Sequence, residues 1–534
     1  MKKLILISLI YFCATQLLFA NPFYNVSDYG AKGDGVTLNT KSIQKAIDNC
    51  AAKGGGTVYF PAGKYLTGTI FLRSNITLFI DAGAEILGSN NLRDYPSNIP
   101  ALHSHTDEYT ERSLIYAEKL DHIAITGQGI INGQGDKFPV KVYPLKDRPY
   151  LMRIIECTNI RVRDITLKNP AMWTQHYLAC ENLFIDNIRV DSWNYNRNND
   201  GIDLDGCNRV MITNSYFKTE DDAVTFKSTL PRPSQNITIS NCVISSLCNA
   251  IKCGTESVGG FEDITISNCV IFNTRYSGIA LESVDGGKMR NITINNIVMN
   301  NVSSPIFIRL GSRLTPYIKG AEKREVGTVE NINISNIQVS GSGGFTDDML
   351  SPMYIKARAY ATKLPIGSGI LGIPGHPIKN VTIKDVTIDY PGTGKKMANT
   401  VPENEKDYPN YNRFGDFPAY AFYSRHVDGL KLENIKVTYR AADTRPAIWL
   451  DDVSNATIKA LDAQFEPETD ALIVAQRSKR IVVEDCNYFK PLKALVSFID
   501  NSSEAIIKNN TLVKPSAPFV KDNTIKENTI TLKN

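Results

Sequence analysis

The chain has 534 residues, of which 42% are apolar and 21% charged, and a formal net charge of +4. That is the composition of a soluble folded protein rather than a disordered one. So even a charge gives no footing for a nucleic-acid partner, and the ten cysteines show no zinc-site spacing.

At the start of the chain, Lys2 and Lys3 precede an apolar run over 4–19 that ends at Ala20, the pattern of a cleaved export signal. Cleavage there starts the mature chain near Asn21 and, by removing two lysines from the +4 total, leaves +2. An uncleaved anchor would need a longer apolar run. A lipid on Cys13 is disfavoured by the bulk of Ile10-Tyr11-Phe12. No later segment is long and apolar enough for a span. The expectation is an exported protein, periplasmic or extracellular, without stable membrane insertion and working as a monomer. Export permits disulfides, but Cys157, Cys180 and Cys207 each open a similar phrase. Such repetition suggests stacked apolar positions more than pairs.

The first predicted element of the mature chain is a helix over 40–52, with Thr37 or Asn39 near its start and Gly54-Gly55-Gly56 as its stop. It is placed to cover the open edge of the first β coil. Beyond it one phrase recurs: Cys or a polar residue, Asn, apolar, any, apolar, any, Asn or Asp, two of any kind, apolar. Copies lie at 157–167, 180–190, 207–217, 236–244, 263–271, 291–299, 331–339, 380–388, 432–437, 456–463 and 481–489. The repeat length, roughly 23 to 30 residues without insertions, is that of a solenoid. Each copy alternates with period two, as Ile237, Ile239 and Val243 do, and reads as a short strand. One coil cannot bury its own inward face, but stacked coils can. The recurring Asn fits a turn, where it tolerates left-handed backbone and can bond its copy on the next coil. Neither the regular leucines nor the outer helices of a leucine-rich repeat are evident. The fold class is therefore all-β: a single-stranded right-handed parallel β-helix over 21–534 with an N-terminal capping helix. Insertions near 310–327, 340–377 and 390–420 break the rhythm, and loops of that length commonly wall a cleft.

Acidic residues concentrate between 173 and 228. Asn198-Asn199-Asp200-Gly201-Ile202-Asp203 is followed by Glu220-Asp221-Asp222. Asp200 and Asp221 are about one coil apart, so stacking sets them on neighbouring rungs. Carboxylates crowded in a cleft repel, and one then keeps its proton to higher pH. An acid beside an ionised base is what glycoside hydrolysis needs. Two readings compete: Asp203, Asp205 and Asp263 as turn residues, and calcium held by Asp200, Asp203, Asp221 and Asp222.

At these motifs the chain resembles glycoside hydrolase family 28, the polygalacturonase family. Val26-Ser27-Asp28-Tyr29-Gly30-Ala31-Lys32-Gly33-Asp34-Gly35, the 54–63 stretch and Gly127-Gln128-Gly129-Ile130-Ile131-Asn132-Gly133 are similar to the opening coils of pectin-acting β-helices. Asn169-Pro170 with Trp173 and His176 resembles the approach to the family's active site. Asn198-Asn199-Asp200 resembles its Asn-X-Asp motif, and Asp221-Asp222 its paired aspartates. The resemblance implies an inverting hydrolase of a pectic polysaccharide, with Asp221 as general acid and Asp200 and Asp222 activating water. Carboxyl groups some 6.5–9.5 Å apart would leave room for that water. No organic cofactor and no metal is implied. Asn198, His176 and Lys227 are expected near the substrate.

Two positions depart from the pattern. Cys248-Asn249-Ala250 stands where the family has Gly-His-Gly, and Ala280-Leu281-Glu282 where it has Arg-Ile-Lys. The family's basic residues hold the substrate carboxylate, which a glutamate would repel. Asn249, Lys252, Arg275, Glu282 and Arg309 become the candidate substitutes, with Arg313 and Glu256 nearby. The long insertions suggest a closed pocket and exo action. The rival functions are a calcium-dependent pectate lyase and a noncatalytic carbohydrate-binding β-helix.

Overall fold

The computed structural model describes residues 23–138, 145–193, 197–343, 367–392, 401–526 and 529–533. The expected export signal at 1–20 lies outside these residues, as do the 344–366 and 393–400 portions of two expected insertions.

The chain winds as a right-handed parallel β-helix, with nearly every strand joined in one sheet system. Its rungs stack in register. Ile237 faces Val210 on one side and Ile264 on the other, and Ile264 is followed by Ile292, Ile332, Val381 and Leu430. Each of these residues is essentially inaccessible to solvent. Strands about 4.8 Å apart bring such side chains into direct contact, and burying each contributes about 1.5–3 kcal/mol. The alternating residues, Thr238 and Thr265 among them, face solvent.

The recurring Asn does what its position suggests. Asn236, Asp263, Asn291, Asn331 and Asn380 all have left-handed backbone, with φ from 54° to 57°. Their side chains form a ladder: Asn291 donates to Asp263 at 2.8 Å, Asn331 to Asn291 at 3.2 Å and Asn380 to Asn331 at 3.1 Å. Cys157, Cys180 and Cys207 are buried thiols, each donating to a main-chain carbonyl rather than forming a disulfide.

The helix Thr40–Ala52 buries Ile43, Ala46, Ile47 and Cys50 over the first coil. Asn39 occupies its N-cap position, yet its side chain bonds the Lys32 and Thr37 main chain instead of capping. It ends at a Lys53 C-cap, and beyond it Gly55 has φ at +111°, where a Cβ would lie 2.4 Å from the Asn75 carbonyl.

One expected insertion is shorter than the sequence suggests. Within 340–377, the strand Ser368–Leu371 completes a rung between Phe307 and Tyr423. Its Ser-Gly-Ile-Leu sequence lacks the Asn signal, which hid it. The 390–420 insertion returns at 401 as a strap, and Tyr411, Phe414 and Phe417 of the strap are buried near Phe307 and Tyr423.

Replacing a stacked isoleucine should show that the inward column carries the stability. Ile266→Ala is expected to cost about 2–5 kcal/mol in chemical denaturation. Thr265→Ala, its exposed neighbour, should stay within about 0.5 kcal/mol.

Candidate active site

The site is assembled on one outward face of the helix. In the strands Ile202–Asp205, Val224–Ser228 and Ile251–Ser257, alternate residues point into the core, so Asp203, Asp205, Thr225, Lys227 and Lys252 share the opposite face. Register then lines up His176, Asp203, Thr225 and Lys252 on successive rungs, with Asp205 opposite Lys227.

The three expected catalytic aspartates sit in the turns just before these strands, and main-chain hydrogen bonds stack the turns. The Thr174 amide donates to the Asp200 carbonyl, Gly201 to that of Asp222, and Ala223 to that of Asn249, each at 2.9 Å. A Cβ on Gly201 would meet the Ala223 carbonyl at 2.4 Å, so glycine follows Asp200 for lack of space. Asn199 donates to the Pro170 carbonyl at 2.9 Å and fixes the loop from below. Asn198, at φ 58°, accepts from Arg148 at 2.9 Å, so its side chain serves this loop.

Two of the aspartates have opposite surroundings. Asp222 accepts from the Asn249 amide at 3.1 Å, the Asn249 side chain at 2.7 Å and Lys252 Nζ at 2.9 Å. Burial alone would raise it, but the two lysines and Asn249 outweigh burial and hold its carboxyl below the ordinary range. Asp200 is 3% exposed, and burial, then the charges of Asp203 and Asp221, push it well up. Asp221 is the half-buried member, accepting from the Asp222 amide at 2.9 Å. One pocket thus holds an ionised carboxylate and a protonated one, the pairing that acid–base hydrolysis requires. The resemblance assigned Asp200 and Asp222 the same task, and their environments separate them.

The remaining candidates divide. Lys227 and Lys252 join the cluster. Lys227 Nζ lies 3.2 Å from Glu256, 3.7 Å from Asp203 and 4.7 Å above the Trp173 ring. Lys252 also reaches Tyr408 at 3.3 Å and Glu282 at 3.9 Å. Glu282 is fully buried with no hydrogen bond on either oxygen, and burial pushes it up to about 7 although Lys252 opposes. Asn249 is in place but committed: beyond its bonds to Asp222, its oxygen accepts from the Ser277 amide at 3.0 Å.

Three further candidates lie buried. His176 is fully buried, stacked on Tyr150 and edge-on to Trp173, with Nε2 3.3 Å from Asp205. Burial lowers its pKa, and it supports the wall behind the site. Arg275 is 2% exposed and packs 5.2 Å from the Tyr276 ring. Arg309 is fully buried and donates to the main-chain carbonyls of Gly372, Glu403 and Asn404 at 3.0, 2.7 and 3.1 Å. With Arg425, which donates to the carbonyls of Val401 and Pro402, it anchors the strap. Arg313 is the arginine at the site, bound by two contacts to Asp285 at 3.0 and 2.5 Å and 3.6 Å from Glu256.

Sequence reasoning missed Tyr408. The strap delivers it from far along the chain, 42% exposed, with its ring 5.6 Å from Lys252 Nζ. Oxygens of Asp221 and Asp222 and the Cys248 sulfur lie within 4.8 Å of one another, so these could meet a cation. The donors do not fit calcium, since a thiol is soft and the Lys252 ammonium already sits 2.9 Å from Asp222.

A family model described as glycosyl hydrolases family 28 matches residues 50–406. A probable polygalacturonase of Vitis vinifera is 29% identical over 65% of this chain and 78% of its own. An exo-poly-alpha-D-galacturonosidase of Dickeya chrysanthemi is 28% identical over 53% of this chain and 56% of its own. The family 28 exopolygalacturonase of Yersinia enterocolitica shares the fold with TM-score 0.63, at 22% identity over 82% of this chain and 78% of that one.

Two outcomes follow from the geometry. With its carboxyl held at about 7 against an ordinary 4.5, Glu282 stays protonated in the folded chain where the unfolded chain is ionised. Its contribution to stability is therefore full below about pH 4.5 and lost as pH rises through about 7. Glu282→Gln should melt higher than the parent near pH 8 and alike near pH 4.5, by calorimetry. Arg309→Ala should leave buried carbonyls unpaired, cost about 1–3 kcal/mol, and open 401–408 to limited proteolysis, mapped by mass.

Proposed function

Because the chain belongs to glycosyl hydrolase family 28 and is a glycosidase of O-glycosyl bonds, we propose that it is exported and releases a terminal sugar from pectic polysaccharide at Asp200, Asp221 and Asp222. The observation that carries this reading is the divided electrostatics of the aspartates: Asp222 held ionised by Lys252 and Asn249, Asp200 held protonated by burial. Asp222 draws the proton from the attacking water. Asp221, half-open to the cleft, passes a proton to the leaving oxygen, and Asp200 beside it keeps that proton available to the pair. Lys252 stays put throughout and stabilises the base's negative charge before its proton arrives.

Exo action is supported by the strap. It lies over the outward face at Phe307 and Tyr423, so a polymer cannot run on across those rungs. The relatives named as exo-acting are consistent with a blocked cleft.

The resemblance implies inversion. Proton NMR of the first-formed anomer tests it.

Asp221→Asn should lower kcat by about 10²–10⁴ with little change in KM, measured by mass-resolved release of a saturated sugar from pectic fractions. If both proteins release the same product at the same rate, Asp221 is not the acid. An unsaturated, ultraviolet-absorbing product would instead establish a lyase.

A further inference from the structure

We propose that the sugar held against Asp221 and Asp222 is uncharged, so that the bond cut joins a neutral terminal sugar to the pectic chain; this rests on the hydrolase reading above. To bind a uronate, a site needs a cation with hydrogen bonds to give, ideally a two-point guanidinium. The cations that touch this cluster are already committed. Lys252 is divided between Asp222 at 2.9 Å and Glu282 at 3.9 Å. Lys227 is divided between Glu256 at 3.2 Å and Asp203 at 3.7 Å. Arg313 spends its fork on Asp285 and turns its remaining reach to Glu256 at 3.6 Å.

The count of charges agrees. Among the described residues of the cluster, Asp200, Asp203, Asp221, Asp222, Glu256, Glu282 and Asp285 face Lys227, Lys252 and Arg313. Burial keeps protons on Asp200, Asp203 and Glu282, and the other carboxyls are enough to engage each of the three cations. A substrate carboxylate would find none of the three in surplus and would bring a further negative charge to close range, where like charges interact strongly.

The polar groups facing a ligand suit hydroxyls instead. Glu256 and Asp222 accept hydrogen bonds, one Asp200 oxygen has no partner, and the Tyr408 hydroxyl can give or take one. Asn249, at the position of a family histidine, has both nitrogens on Asp222. The chemical class that fits is a neutral hexose or deoxyhexose at the end of a uronate-containing chain.

Carboxyl reduction tests this with one linkage and one change of charge. The mature protein and Asp221→Asn would be given galacturonate oligosaccharides, the same oligosaccharides reduced at their carboxyls, and rhamnogalacturonan fragments ending in a neutral sugar. The expected result is kcat/KM at least about tenfold higher on the reduced or neutral-ended chains than on the unreduced ones, with a neutral monosaccharide released by the parent alone. Galacturonate released as efficiently from unreduced chains would overturn the inference and leave the hydrolase standing. No sugar released from any of the three would overturn both.

Discussion

Everything in this molecule depends on the in-register parallel pairing of one coil with the next. Parallel strands repeat their side chains in columns about 4.8 Å apart, and slipping one residue would turn every column inside out. Inward columns must then be apolar along their whole length, and turn columns must tolerate left-handed backbone. Outward columns carry whatever remains, and like charges at that spacing repel. The chain answers by alternating sign: Asp205 faces Lys227, Glu282 faces Arg309, and Arg425 faces Asp451. The acidic cluster is tolerable because the same columns bring lysines beside it.

That arrangement also sorts the aspartates. A buried ion pair gives little net stability, since desolvation consumes most of the attraction. Lys252 and Asp222 are better understood as setting a protonation state. The bonds to Asp222 use both of its oxygens, while Asp200, one turn earlier, faces carboxylates and burial. Two residues of the same type, a few ångströms apart, thereby acquire different chemistry without any difference in the local sequence that would announce it.

Much of the fold was legible because it is local and repeated. The Asn–apolar–X–apolar phrase encodes turn and strand together, and the helix at 40–52 shows its amphipathic face. The aspartate cluster was legible because one coil length separates its parts. What could not be read was the destination of long side chains. Arg309, Arg275 and His176 read as cleft residues in the sequence, and all three are buried; Arg309 is held by carbonyls 63 to 95 positions away. Tyr408 meets Lys252 across 156 positions, a separation no periodicity spans. Glu256 reaches the site through a register shift between Phe226 and Ser228, and nothing in the repeat foretells such a break. The rung at Ser368–Leu371 carries no turn Asn, so the repeat does not mark it.

The strap's attachment has one more consequence. Arg309 and Arg425 hold it by the carbonyls of Val401, Pro402, Glu403 and Asn404. A grip on peptide groups is indifferent to the side chains those groups carry, except at Glu403, whose carboxylate also meets Arg425 at 3.2 Å and His426 at 3.3 Å. Apart from that one position, the segment that roofs the outward face can change its side chains while its mooring persists.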